Sequence, residues 1–375
     1  MKKSLIAMAA LAAVGVASAQ SSVTLSGNIK TGFSHLSLGG AGSGSQNALV
    51  DGSSRFILSG TEDLGGGLRA RFQIDNRFRS EDSPFMAQAG GSTWVGLQGG
   101  FGMVQLGKLD VHYCTGADTH AARATSLGAS SCGLLGFVNG SGGDRAIANT
   151  SRIGNVIQYM TPNFSGLTGR VNYSTGFGSG ASANSDGAPG ATSKGDAWSL
   201  GLAYAAGPLN LQASFWRARS ENRTVGASLS TNSDQNAWTL AGNYNFGVAT
   251  VGLTYDQSEV NLGTVGGPDA KNKRSAWSVP VTVPVGSGTL LFTYTKANSV
   301  KLNGVNQPNT DANLLSIGYD YALSKRTSIG ASYARLDNKA AANYRLYVHS
   351  GLGATIPAGA GVDQSQFYIG VRHAF

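Results

Sequence analysis

Gln366-Phe367-Tyr368-Ile369-Gly370-Val371-Arg372-His373-Ala374-Phe375 closes the chain, and its reading decides the fold. Successive side chains of a β-strand point to opposite faces. Phe367, Ile369, Val371, His373 and Phe375 therefore share one face, and Tyr368, Gly370, Arg372 and Ala374 share the other. The first face suits lipid and the second suits water.

Working outward from that end, the same alternation recurs. Near the start, Val23, Leu25, Ile29 and Phe33 alternate with Thr24, Ser26, Asn28 and Lys30. Further apolar faces are Trp198, Leu200, Leu202 and Tyr204; Leu209, Leu211, Ala213 and Phe215; Val251, Leu253 and Tyr255; and Leu290, Phe292 and Tyr294. A soluble sandwich also alternates, but its water face is usually rich in Lys and Glu. Here that face is Gly, Ser, Thr and Asn, which suits a hydrated lumen.

Short links at 205–208, 245–247, 285–288 and 322–325 take turns with long ones around 176–195, 219–235, 259–273, 297–311 and 338–361. Short turns on one side and long loops on the other are what a membrane barrel with two unlike faces needs. The fold class is all-β, a transmembrane antiparallel β-barrel of about sixteen strands, wide enough for an aqueous channel. Trp94, Tyr159, Tyr173, Trp198, Trp238, Tyr244, Tyr255, Trp277, Tyr294, Tyr319 and Tyr321 read together as girdles at the two membrane interfaces.

At the other end, Met1-Lys2-Lys3, an apolar stretch over 4–17 and Ala17-Ser18-Ala19 follow the order of a secretory signal peptide. Residues 1–19 are expected to be removed, leaving 20–375 as the barrel. The apolar stretch is shorter than the roughly 20 residues a spanning helix needs. No later run approaches that length, so any membrane passage must use a closed barrel. The composition, with 54 Gly, 14 Phe and 13 Tyr but only 13% charged residues, suits many short strands and polar loops. The formal charge of +8 falls to 8 − 2 = +6 without Lys2 and Lys3. No Lys/Arg cluster is interleaved with aromatics, so nucleic acid is not an expected partner.

Several segments resemble the Gram-negative general porin family in its β-proteobacterial form. They are Ser54-Arg55-Phe56-Ile57-Leu58-Ser59-Gly60-Thr61-Glu62-Asp63-Leu64-Gly65-Gly66-Gly67-Leu68, Trp94-Val95-Gly96-Leu97-Gln98-Gly99-Gly100-Phe101-Gly102, Leu106-Gly107-Lys108-Leu109-Asp110, Tyr333-Ala334-Arg335-Leu336-Asp337-Asn338 and the terminal Phe375. The resemblance implies a sixteen-stranded barrel in the Gram-negative outer membrane, a homotrimer, and a third extracellular loop folded inward. It implies contact with outer-membrane lipid and lipopolysaccharide, and passive diffusion of small hydrophilic solutes. It also makes Phe375 a recognition signal for the barrel-assembly machinery.

Selectivity of a pore comes from charges aimed into its narrow part. If Phe56 and Leu58 face lipid, Arg55 faces the lumen. If Phe72 and Ile74 face lipid, Arg69, Arg71, Gln73 and Asp75 face the lumen. The same parity sets Arg152 opposite Ile153 and Arg170 opposite Val171, so Arg55, Arg69, Arg71 and Arg152 are candidates for a basic wall. By the resemblance, Arg55 and Arg152 sit where such a wall has its arginines. The chain departs from the family pattern at Gly91-Ser92-Thr93, where the resemblance would put another lumen arginine, so that one rung is either missing or supplied by Arg77 or Arg79.

The connection over 111–149 is far too long for a turn, and long internal loops are usually functional. By position it is the constriction loop. In and beside it are Asp110, Asp118, Asp144, His112, His120, Arg123 and Arg145, so its acids are offset by bases. The acidic Pro-Glu-Phe cluster of many relatives is absent, and the expectation is a weak to moderate anion preference.

Cys114 and Cys132 lie in this loop, 132 − 114 = 18 positions apart. In an oxidising compartment a pair favours one disulfide, worth about 3 kcal/mol of loop-closure entropy, over two free thiols. His112, His120 and Asp118 on a loop do not fix a metal geometry, so neither metal nor cofactor is expected. No catalytic constellation forms a motif, and the chain does not read as an enzyme. The competing readings are a barrel-based enzyme or adhesin, and a substrate-specific channel for a small anion or sugar, for which Trp216 is a single inward aromatic and no track.

Overall fold

The computed structural model describes residues 21–40, 43–81, 91–110, 119–135, 152–175, 193–222, 231–264, 270–347 and 359–375. The expected signal peptide, Cys114 and Asp118 lie outside them.

The strands are β1 (Ser22–Leu38), β2 (Gly44–Asp51), β3 (Arg55–Gly65), β4 (Leu68–Arg77), β5 (Thr93–Gly99), β6 (Gly102–Asp110), β7 (Arg152–Met160), β8 (Leu167–Ser174), β9 (Ser193–Ala206) and β10 (Leu209–Asn222). They continue as β11 (Thr231–Asn245), β12 (Thr250–Thr264), β13 (Ala270–Val285), β14 (Gly288–Ala297), β15 (Lys301–Leu302), β16 (Val305–Asn306), β17 (Ala312–Ala322), β18 (Thr327–Asn338) and β19 (Gln364–Ala374). β15 and β16 are a small hairpin in a connection. β2 and β3 are two pieces of one stave, because both pair with β1 in succession. The nineteen segments therefore make 19 − 2 − 1 = 16 staves in one antiparallel sheet. Pairing of β1 with β19 closes it, from Asn28 opposite Ala374 to Leu38 opposite Gln364.

Alternation sorts the wall as the sequence implies. Val23, Leu25, Ile29 and Phe33 are exposed on the outside, whereas Asn28, Lys30 and Ser34 are buried within. Leu58 pairs with the outward Leu25 and Phe56 with Gly27, so Arg55 takes the inner parity beside Asn28. Cross-strand aromatic pairs mark the outer surface: Trp198 with Phe215, Trp238 with Tyr255 and Trp277 with Tyr294 have ring centroids 5.2, 5.2 and 5.3 Å apart. Trp94 is the exception among the expected girdle residues. Its neighbours Val95 and Leu97 are outward, and the indole lies against an inner apolar cluster.

The tight turns fall where expected. Gly207 and Gly286 reverse the chain with φ of 54° and 58°, a region that costs other residues. The long links are shorter than their composition suggests: β10 and β11 leave only 223–230 between them, and β12 and β13 only 265–269. Polar residues continue a strand as long as a neighbouring backbone satisfies their hydrogen bonds.

Two further differences matter for the site. Ile153 does not face lipid: it is 8% exposed and meets Leu109 inside the barrel. The register shifts between Gly107 and Leu109, and Asn155 has a φ of 54°, so parity inverts beyond this irregularity. The interior is also not uniformly polar. Leu36, Leu314 and Leu336 on the wall meet Leu134, Tyr344 and Leu346 from connections in one buried cluster. Each fully buried leucine there contributes about 1.5 to 3 kcal/mol.

Candidate functional site

Two groups of polar side chains stand out in the barrel. The first lies on β3 to β7. Arg55 Nη1 donates to Asp75 Oδ2 at 3.4 Å, and Arg77 Nη2 lies 3.8 Å from the same oxygen. Arg152 Nη1 donates to Asp110 Oδ1 at 3.2 Å, and Ser92 Oγ donates to Asp110 Oδ2 at 2.9 Å. Arg77 is within electrostatic reach of Arg55, Asp75, Asp110 and Arg152, and Lys108 of Arg77 and Arg152. Gly91 lies so close to the Asp75 carboxylate that a Cβ would strike it. The group thus holds three arginines, Arg55, Arg77 and Arg152, around two carboxylates, 3 − 2 = +1.

Arg69 and Arg71 share the inner parity but not the level. They pair with Asp63 and Thr61 beside the short Gly65-Gly66-Gly67 turn, whereas Arg77 pairs with Arg55 at the opposite end of the same strands. Eight residues of strand, about 26 Å, separate Arg69 from Arg77. Arg71 Nη1 donates to Gln98 Oε1 at 3.1 Å, and Arg69 is exposed at the mouth.

The second holds residues 119–135 against inward side chains of β1, β17, β18 and β19. Lys30 Nζ donates to the His120 carbonyl at 3.3 Å. Asp320 accepts from the Ala124 amide at 2.8 Å and lies 3.7 Å from Arg123 Nη1. Ser332 Oγ accepts from the Ser126 amide, Ser126 Oγ donates to Gln366 Oε1 at 2.6 Å, and Ser316 Oγ donates to the Ala129 carbonyl at 2.8 Å. Two short 3₁₀ turns, Leu127–Ala129 and Ser131–Gly133, are capped by Ser126 and Ser130. Those serines satisfy amides that would otherwise be orphaned in a buried segment.

His120 is fully buried, 3.0 Å from Thr125 Oγ1. Burial, reinforced by the nearby Lys30 and Arg123 charges, pushes its pKa down to about 3. Such a group is a neutral structural imidazole. Among the described residues no cluster of His, Cys, Asp or Glu could hold a metal ion. Cys132 is disulfide-bonded.

The segment 339–347 folds onto the same wall. Asn338 Nδ2 donates to the Tyr344 and Val362 carbonyls at 2.9 and 2.8 Å, and Gln364 Nε2 donates to the Tyr344 carbonyl at 3.0 Å. Arg274 on β13 is fully buried between this segment and the first: its Nη2 lies 2.5 Å from Asp256 Oδ1, and its Nη1 donates to the Leu134 carbonyl.

Of the candidate residues, Arg55, Arg152 and Asp110 stand near Arg77, Arg152 through its contact with Asp110 and not through the expected parity, which fails with Ile153 inside, while Arg69 and Arg71 stand apart and Arg123 belongs to the second group. Asp256, Arg274 and Asp320 were missed by the sequence reading, which put Lys30 on the water face but gave it no role in the site. Arg274 was within reach of that reading, since Trp277 faces outward. Trp216 is inward as expected, 1% exposed, with Nε1 3.3 Å from Gln235 Oε1.

Comparison with known proteins agrees with this architecture. A family model described as Gram-negative porin matches residues 5–343. Outer membrane porin protein 32 of Delftia acidovorans is 33% identical over 392 residues, covering 100% of both chains. An outer membrane porin protein of Bordetella pertussis is 30% identical, over 89% of this chain and 94% of its own. Among solved structures, the anion-selective porin from Comamonas acidovorans superposes with a TM-score of 0.70 at 29% identity, covering 95% of this chain and 100% of that one. A closed sixteen-stave barrel with charged side chains gathered inside it, and relatives matched along their whole length, place this chain in the Gram-negative porin family, as a general diffusion porin of the outer membrane.

Proposed function

We propose that this porin passes small hydrophilic solutes and ions with a weak to moderate preference for anions, and that the preference is set where Arg55, Arg77 and Arg152 look across at residues 119–135. The single observation that carries this reading is the excess of cations in that group, three arginines against Asp75 and Asp110. In a low-dielectric tube even a small excess biases entry, because field lines stay within the aqueous path. The carboxylates keep the bias modest. Arg77 then supplies the rung that Gly91-Ser92-Thr93 lacks, and Arg69 and Arg71 act as an entry field at the short-turn mouth. The relative from Comamonas acidovorans is itself described as anion-selective, which agrees with this assignment.

Within the same proposal, residues 119–135 belong to the third extracellular loop and form the constriction, joined by Asp118 and Arg123. Cys132 bridges Cys114, the chain having two cysteines, and the bridge stiffens the loop. Residues 1–19 direct export, Phe375 addresses the barrel-assembly machinery, and the mature porin is a homotrimer embedded among lipid and lipopolysaccharide. The aqueous path needs no catalytic group. The test is the reversal potential of single channels in a planar bilayer under a potassium chloride gradient. A modest anion-selective potential that falls in an Arg55→Ala, Arg152→Ala double variant is expected; cation selectivity in the unaltered protein overturns the reading.

A further inference from the structure

Arg274 has three partners on three different parts of the molecule. Asp256, on the neighbouring strand β12, faces its Nη2. Leu134, near the end of 119–135, accepts from its Nη1. Tyr344, in the segment after β18, hydrogen-bonds the guanidinium through its hydroxyl and lies beneath it with the ring centroid 6.0 Å away. An arginine with no exposed side-chain surface costs several kcal/mol unless its charge and donors are met. The planar fork of guanidinium can meet three partners at once, which an ammonium cannot.

The two connections also touch directly. A Cβ on Gly133 would come 2.8 Å from the Arg345 carbonyl oxygen and 3.0 Å from the Tyr347 nitrogen, so the contact requires glycine. Leu134, Leu135, Tyr344 and Leu346 are each at most 2% exposed in one shared cluster. The second connection does not hang free over the mouth: Asn338 and Gln364 tie it to inward positions of β18 and β19, and Tyr344 reaches to β13. The far end of 119–135 is held separately, by Lys30 and Asp320.

We propose that Arg274 is a positioning residue that locks residues 119–135 and 339–347 into one unit, so that the bore of the pore is set by two connections rather than one. The lock acts at Leu134, beyond which the chain returns to the basic wall at Arg152. Releasing it lets both connections draw back toward the outer mouth and widens the path. This inference rests on the porin's conductance and is independent of the sign of its selectivity.

Two variants test it without removing the charge from the wall. Arg274→Lys keeps a cation beside Asp256 but cannot also reach Leu134 and Tyr344. Gly133→Ala leaves the ion pair untouched and pushes the two connections apart. Both are read by single-channel conductance and by the size of polyethylene glycol that still enters the channel, with barrel formation followed by the heat-dependent shift in electrophoretic mobility. The expected result is folded protein whose conductance rises about twofold, together with a larger polymer cut-off. Wild-type conductance and cut-off in the folded variants would overturn the lock, and would leave the reversal potential and the anion reading as they were.

Discussion

Arg55 and Arg274 are both inward arginines paired with an aspartate, and they sit in opposite surroundings. Arg55 keeps 35% of its side chain exposed and meets Asp75 at 3.4 Å, while Arg274 has no exposed side-chain surface and meets Asp256 at 2.5 Å. A charge that keeps its water also keeps its field in the aqueous path and adds little to stability. A charge that has lost its water is felt by its neighbours and fixes their geometry. On the proposed reading, Arg55 acts on solutes and Arg274 on architecture.

The largest effect should come from breaking the buried pair. Asp256→Ala leaves Arg274 without its countercharge and is expected to destabilise the barrel by about 3 to 5 kcal/mol, measured by urea unfolding of the detergent-solubilised protein. Stability unchanged within error would mean that Leu134 and Tyr344 suffice, and the contrast between the two arginines would dissolve.

Next comes acid. His120 has an ordinary pKa of 6.5 and is held at about 3 in the folded protein. Between those values the unfolded chain takes up a proton that the folded chain refuses. Its contribution is therefore complete above about pH 6.5 and is lost as pH falls toward about 3. The charged groups around it, Lys30, Arg123 and Asp320, all remain in His120→Gln. That variant is expected to have a flatter stability profile over this window, monitored by thermal unfolding at a series of pH values.

On the solute side, Arg55→Ala should change stability by less than about 1 kcal/mol and move the reversal potential toward zero. Arg69→Ala, about 26 Å away along the strand at a wide mouth, should move it least. Equal effects of the two would show that entry rather than constriction sets selectivity.

The alternation that sorted Val23, Leu25, Ile29 and Phe33 from Asn28 and Lys30 was legible because a strand's two faces meet two different solvents. The same rule placed Arg55 and Trp216 inward. It failed at Ile153, where one irregularity across Gly107 and Asn155 inverts the faces, since parity carries no memory past an inserted residue. Trp94 showed a second limit: an aromatic at a strand end is girdle or interior according to its parity, not its type.

What the sequence determined by itself is the barrel, its sixteen staves, and which side chains have access to the interior, because these depend on local periodicity and on turn residues. Tertiary structure alone decided that Arg77 joins Arg55 and Arg152 while Arg69 does not, and that Arg274 joins Leu134 to Tyr344, 210 positions apart. Register and closure bring together residues that no local pattern relates, and burial then leaves Arg55 in water and takes Arg274 out of it.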